Sequence, residues 1–214
     1  MNKIAKMIDH TLLKPASNKQ IEELCSTAVK YGFATVCIQP DYVKYAKSLL
    51  NGSSVLVCTV IGFPLGENTT AVKVFETKNA IKNGADEIDM VINPSFSRNN
   101  QFKKVEKEIA SVVKAANGKL VKVIIEECLL TDKQIAKATQ AVINAGAQFV
   151  KTSTGFSTHG ATINAVKIMA ETVKGTKVKI KAAGGIRDKA TAEEFITAGA
   201  SRIGTSNGAQ IVEG

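Results

Sequence analysis

The 214-residue chain has no tryptophan, and aromatic residues make up only 5% of it, so the bulk of any core must come from Val, Ile, Leu and Ala. Histidine is equally scarce. His10 and His159 stand far apart in the sequence and form no metal-ligand motif. The four cysteines, Cys25, Cys37, Cys58 and Cys128, are scattered with no CxxC pair. That pattern favours buried, reduced thiols over disulfides or a zinc site, and no metal is implied. No segment approaches the ~18 apolar residues of a membrane span. The opening "MNKIAKMIDHTLLKP" lacks the apolar stretch of a secretion signal, because Asp9 and His10 interrupt it. The expectation is a cytoplasmic protein with no membrane partner.

A second set of absences concerns ligands. Neither GxGxxG nor GxxxxGK[ST] follows an early strand, so the usual nucleotide-binding signatures are missing. The formal charge is +9, yet the lysines sit among glutamates at helical spacing, as in "KKVEKEI" and "KVFETKNAIK". This is the pattern of a solvated helix face. No arginine-rich or aromatic-interleaved patch accompanies it, and no nucleic-acid partner is expected.

What is present is a repeating alternation. Short apolar, β-branched runs occur at Ile8–Leu12, Ala34–Ile38, Val55–Ile61, Glu87–Ile92, Leu120–Ile125, Gln148–Lys151, Val178–Ala182 and Ser201–Gly204, separated by amphipathic stretches of helical length. Capping-box patterns at Ser17, Thr131 and Thr191 open three of the predicted helices. "NGAD", "NAGAQ" and "TAGAS" each supply a glycine where a helix must stop before a strand. Eight βα units in one short chain without a linker predict an α/β protein of one domain, residues 1–214, folded as a single (β/α)8 TIM barrel. The rival is an open, doubly wound sheet.

In such a barrel the chemistry collects at the C-terminal ends of the strands. Strand four carries Asp89 inside "IDMVI", strand six ends in Lys151 and strand seven holds Lys181 in "KIKAAGG". Asp86, at the start of strand four, reads instead as a cap or surface acid. Lys151 and Lys181 are one βα unit apart, so they belong to neighbouring strands about 4.8 Å from each other. Burial and a like charge would both favour the neutral, nucleophilic amine. "AAGGIRD" and "IGTSNG" put Gly184, Gly185, Gly204 and Ser206 at the tops of the last two strands, where glycines let backbone N–H groups approach a phosphate. Arg187 joins that site or pairs with Asp188. A nucleophilic lysine facing a phosphate cradle points to Schiff-base chemistry on a phosphorylated aldehyde or ketose.

"DHTLLKP", "ATVCIQP", "GADEIDMVIN", "KVIIEE", "FVKTSTGF", "IKAAGGIR" and "RIGTSNG" together resemble the deoxyribose-phosphate aldolase family over nearly the whole chain. The resemblance implies cleavage of 2-deoxy-D-ribose 5-phosphate to acetaldehyde and D-glyceraldehyde 3-phosphate, with no metal or organic cofactor. By it, Lys151 is the Schiff-base lysine, Lys181 the second lysine that lowers its pKa, and Asp89 the acid of a proton relay. Gly155, Gly184, Gly185, Gly204 and Ser206 correspond to the phosphate loops, and a homodimer is compatible with the family. Phe156 departs from members that carry a lysine after "TSTG". Cys37 matches a family cysteine and reads as a strand thiol near the pocket. Two other readings stay open: another Schiff-base barrel such as a transaldolase, and a non-catalytic phosphosugar or nucleic-acid binder.

Overall fold

The computed structural model describes residues 3–214. Eight parallel strands follow one another around a closed barrel: β1 (Ile8–Leu12), β2 (Thr35–Ile38), β3 (Leu56–Ile61), β4 (Glu87–Val91), β5 (Leu120–Ile124), β6 (Phe149–Lys151), β7 (Lys179–Ala183) and β8 (Arg202–Thr205), with β8 paired back to β1. Around them run α1 (Asn18–Tyr31), α2 (Val43–Leu49), α3 (Thr70–Lys82), α4 (Pro94–Arg98), α5 (Phe102–Ala116), α6 (Asp132–Asn144), α7 (Ile163–Val173), α8 (Lys189–Thr197) and α9 (Gly208–Glu213). The barrel predicted from the alternation is present, and the doubly wound sheet is not. No helix of the described residues is long and apolar enough to cross a membrane.

Local sequence explains most of the boundaries. Ser17 with Gln20, and Thr131 with Gln134, form the two capping boxes that open α1 and α6. At α8 the expectation needs correcting. The cap is Asp188, whose carboxylate accepts from the Thr191 N–H at 2.8 Å, and Thr191 lies inside the helix. A carboxylate at the N-cap position satisfies the first free N–H groups one turn earlier than the threonine would. The three predicted helix stops all carry left-handed glycines, with φ of 109° at Gly84, 79° at Gly146 and 121° at Gly199. A side chain there would be strained, so one junction recurs three times.

The two faces of the barrel wall differ in character. Outward-facing Ile8, Val36, Ile38, Val57, Ile88, Met90, Val121, Val123, Val150, Ile180 and Ile203 pack against the helices in one large apolar core. Alternation then sends the other residues of each strand inward. There the apolar cluster is small, limited to Leu13, Cys37, Cys58 and Val60 with Phe63 against them. The charged residues of the strands also face this interior, beside a few uncharged ones such as Ile124 and Phe149, so the stabilising outer layer and the functional interior share strands but use opposite parities.

One buried pair outside the barrel shapes its mouth. Lys73 on α3 is fully buried and donates to Gly66 O at 2.7 Å, Val91 O at 2.8 Å and Glu108 at 2.8 Å. The second oxygen of Glu108 accepts from the Asn93 N–H at 2.9 Å. This clamp holds the β3–α3 loop, which carries Phe63, against the top of β4.

His10 on β1 shares the outward parity of Ile8, meets Phe33 edge-on at 5.2 Å, and lies beneath Gly208 of α9. Burial lowers its pKa from 6.5 to about 4. The unfolded chain therefore takes up this proton near pH 6.5, whereas the folded protein resists it down to about pH 4. His10 stabilises the fold fully above pH 6.5, and that contribution disappears as the pH falls towards 4. We expect wild-type protein to lose up to about 3 kcal/mol from this source. Urea unfolding at pH 7 and pH 4.5 should show a smaller acid loss in His10→Gln; equal losses would assign the effect to other groups.

Candidate active site

The register explains how the site assembles. Ile124, Lys151, Lys181 and Arg202 are successive lateral partners on β5 to β8. Asp89 and Lys122 are partners on β4 and β5, and Glu87 lies two residues below Asp89 on the same inward face. Asp9 on β1 completes the ring from the other side. All these side chains point into the barrel because each has the inward parity of its strand.

Asp89 is the hub. One carboxylate oxygen accepts from Lys122 at 2.7 Å, and the other from both Lys151 and Lys181 at 2.8 Å. Asp9 pairs with Lys181, and with Arg202 at 2.6 Å. Glu87 accepts from Lys122 at 2.6 Å and Arg202 at 3.1 Å. Three carboxylates therefore face four cationic side chains, one cation more than the acids can balance.

Burial alone would raise the Asp89 pKa, but Lys122, Lys151 and Lys181 outweigh it and hold the carboxyl far below its ordinary range. Lys181, expected to act as the cation beside Lys151, is itself a charged group here. Burial does disfavour its charge, yet Asp89 and Asp9 more than compensate and hold Lys181 firmly protonated. The two lysines are neighbours, as expected, but a carboxylate oxygen lies between their amines. Lys122 is raised in the same way, against burial, by Asp89 and Asp9.

A cavity of about 380 Å³ opens above this network, lined by Lys151, Gly155, Gly184, Gly185, Gly204 and Ser206. Of the three lysines inside the barrel, only Lys151 lines it; Lys122 and Lys181 are sealed below. Lys14 and Arg187 also line the cavity and bring positive charge to its rim. Asp188, the alternative partner of Arg187, is engaged with Thr191. Among the described residues the backbone N–H groups of Gly155, Gly184, Gly185 and Ser206 donate to no protein acceptor. Gly204 has a different duty besides lining the cavity. A Cβ there would come within 3.0 Å of Lys181 Cε and 2.9 Å of Ala183 Cβ, so its missing side chain makes room for the lysine.

The hydroxyls that follow Lys151 act as fasteners. Thr152 Oγ1 donates to Ala183 O at 3.2 Å and accepts from Ala183 N–H at 3.1 Å, joining the tops of β6 and β7. Thr154 is tied through its N–H and hydroxyl to Glu126, a buried residue held at φ 49°. A non-glycine residue in that region costs about 1 kcal/mol or more, and the two bonds to Thr154 offset it. Phe156 meets Phe63 edge-on at 5.3 Å and forms an apolar wall at the mouth.

Asp86 is structural, as its position at the start of β4 suggested, binding Lys47 at 2.6 Å and the Val57 N–H at 3.1 Å. Sequence reasoning missed Asp9, Glu87, Lys122, Arg202 and Glu126 as parts of the site. The first four carry one signal: a charge at inward parity in an otherwise apolar strand. Two donor sets have atoms within metal-ligand reach, Cys37–Cys58–Asp89 and Asp9–Cys58–Glu87. Lysine or arginine already neutralises every carboxylate in both sets, which makes them a poor fit for a cation.

The model of the DeoC/LacD family of aldolases matches residues 3–212. This chain belongs to that family. It is 58% identical over 213 residues to the deoxyribose-phosphate aldolase of Streptococcus mutans, covering 99% of this chain and 96% of the relative. A Geobacillus deoxyribose-phosphate aldolase is 57% identical over 215 residues, covering 100% and 96%. Among solved structures, a tetrameric deoxyribose phosphate aldolase from Aeropyrum pernix superposes with a TM-score of 0.92 at 36% identity, covering 98% of this chain and 89% of that one. Membership makes the chain an aldolase, a carbon–carbon lyase, and gives the lysine-lined cavity its chemical context.

Removing one cation from this interior exposes the balance. Lys122→Met leaves Glu87 and Asp89 short of a buried partner, and we expect a loss of about 3–5 kcal/mol in urea unfolding. Solvent-exposed Lys103→Ala should leave the midpoint in place. A Lys122→Met protein as stable as wild type would show that the network does not depend on it.

Proposed function

We propose that this aldolase reversibly cleaves 2-deoxy-D-ribose 5-phosphate to acetaldehyde and D-glyceraldehyde 3-phosphate through an imine on Lys151. The names of the relatives supply the substrate. The observation that carries the mechanism is that Lys151 alone, of three lysines bound to the same carboxylate network, lines the cavity.

The charge count supports the choice. Asp9, Glu87 and Asp89 can be matched by Lys122, Lys181 and Arg202 alone, so the network does not need a charge on Lys151, the amine that must attack. Its lone pair adds to the C1 aldehyde, and loss of water gives the iminium. The iminium draws the electrons of the C2–C3 bond, the C3 hydroxyl loses its proton to become the aldehyde of glyceraldehyde 3-phosphate, and an enamine remains on Lys151. Protonation of the enamine at carbon and hydrolysis then release acetaldehyde.

Asp89 is held ionised, so its role in this reading is to accept and orient rather than to donate at neutral pH. Lys181, held protonated 2.8 Å from the same carboxylate oxygen as Lys151, supplies the cationic end of the relay. The free N–H groups of Gly155, Gly184, Gly185 and Ser206, with Lys14 and Arg187 at the rim, form the phosphate cradle. The reaction fits a catabolic step on deoxyribose released from nucleotides.

Two measurements test this reading. Acetaldehyde with borohydride should leave a two-carbon adduct on Lys151, found by peptide mass spectrometry and absent in Lys151→Ala. No adduct in folded protein would sink the imine mechanism. Phe156→Lys should return a cation to the mouth and lower KM for the phosphorylated sugar by about two- to fivefold, with little change for 2-deoxyribose. Equal effects on both sugars would detach Phe156 from the phosphate.

A further inference from the structure

The mechanism leaves two buried nucleophiles unused. Cys37 on β2 and Cys58 on β3 are register partners on adjacent parallel strands, and both point into the barrel. Such strands lie about 4.8 Å apart, inside the roughly 4.4–6.8 Å Cα separation that a disulfide spans. Their sulfurs and an Asp89 oxygen all lie within 4.8 Å of one another. Neither side chain is exposed; both belong to the small interior apolar cluster, and Cys58 borders the charged network through Asp89 and Lys122.

The surroundings differ for the two thiols. Cys58 donates to Asp89 at 3.2 Å and accepts from Lys122 at 3.2 Å. Burial, with Cys37 and Asp89 beside it, raises the Cys58 pKa well above the ordinary thiol value. Cys37 goes the other way: the neighbouring Cys58 thiol lowers its pKa, burial opposes this, and Lys181 adds to the lowering. One sulfur is thus the better thiolate and its neighbour retains a proton, the division of labour of an attacking and a resolving thiol.

We propose that Cys37 and Cys58 are a peroxide-reactive dithiol, a covalent modification site buried in the barrel interior beside the Asp89 network. The Cys37 thiolate attacks hydrogen peroxide, an S–O bond forms as the O–O bond breaks, and hydroxide leaves and is protonated to water. Cys58 then gives up its proton and attacks the sulfenic sulfur. An S–S bond forms, the S–O bond breaks and a second water departs. The two thiols lose two electrons and two protons, and peroxide is reduced to two waters. The disulfide deprives Asp89 of its Cys58 donor and Lys122 of a sulfur acceptor, in the same network that holds Lys151. Oxidation therefore suppresses the aldolase, and reduction restores it.

The test uses Cys25→Ser/Cys128→Ser protein, in which only these two thiols remain. After hydrogen peroxide, alkylation without reduction and peptide mapping should show both thiols lost together. The peptides of Cys37 and Cys58 should be joined, and dithiothreitol should separate them. Activity should fall at least about tenfold as the joined peptide accumulates, the cost of one hydrogen bond to a charged group. It should return on reduction. With Cys58→Ser added, dimedone should trap a sulfenic acid on Cys37. Both cysteines remaining alkylatable under peroxide that fully oxidises free glutathione would overturn the proposal, as would activity loss with both thiols free. The peptide readout needs no substrate, so its failure leaves the Lys151 imine standing, and failure of the imine test leaves the dithiol standing.

Discussion

Everything at the centre of this protein depends on one ionised carboxylate. Asp89 is fully buried and would cost several kcal/mol if left alone there. Lys122, Lys151 and Lys181 stabilise it, and each has its orientation set by it. The dependence is mutual. Lys122 and Lys181 keep their charges only because Asp89 and Asp9 face them. The amine of Lys151 is held at the cavity floor by the same oxygen that holds Lys181.

Such a network exists only because the barrel separates its two tasks. The outward face of the strands buries aliphatic side chains against the helices and supplies the apolar burial that stabilises the fold. That leaves the inward face free to be polar, at a cost the outer layer can bear. The small interior apolar cluster lies on the β2–β3 side, and the charges lie on β4 to β8 and β1. The thiol pair sits where these two regions meet, which is why its chemistry is coupled to the charges. The loops then finish the site by fixing backbone: Thr152 and Thr154 fasten the turn after Lys151, and the Lys73–Glu108 clamp fixes the loop bearing Phe63.

Much of this was legible in the chain. The eight strands were recoverable to within a residue or two because β-branched runs bounded by glycine stops leave little choice of period. Lys151, Lys181 and Asp89 stood out because charged residues inside apolar strands have no bland explanation once the barrel is drawn. Asp9, Glu87, Lys122 and Arg202 carried the same signal but were passed over. Glu87 and Arg202 open their strands and read equally well as solvated ends, and only closure of β8 onto β1 brings Asp9 to Lys181 and Arg202. The Thr191 cap was misread because a threonine followed by two glutamates mimics a capping box, while Asp188 satisfies the helix first.

The sequence by itself determined the architecture, the strand parity and therefore which residues face inward, because periods of two and 3.6 follow from backbone geometry alone. It also determined that a lysine ends β6 and that glycines crown β7 and β8. Tertiary structure alone decided the electrostatics. Whether a buried lysine loses or keeps its proton depends on the sign of whatever lies within about 4 Å, and those neighbours come from strands as far apart as β1 and β8. Two lysines on neighbouring strands suggest bare repulsion between like charges; the fold places an Asp89 oxygen within 2.8 Å of both amines.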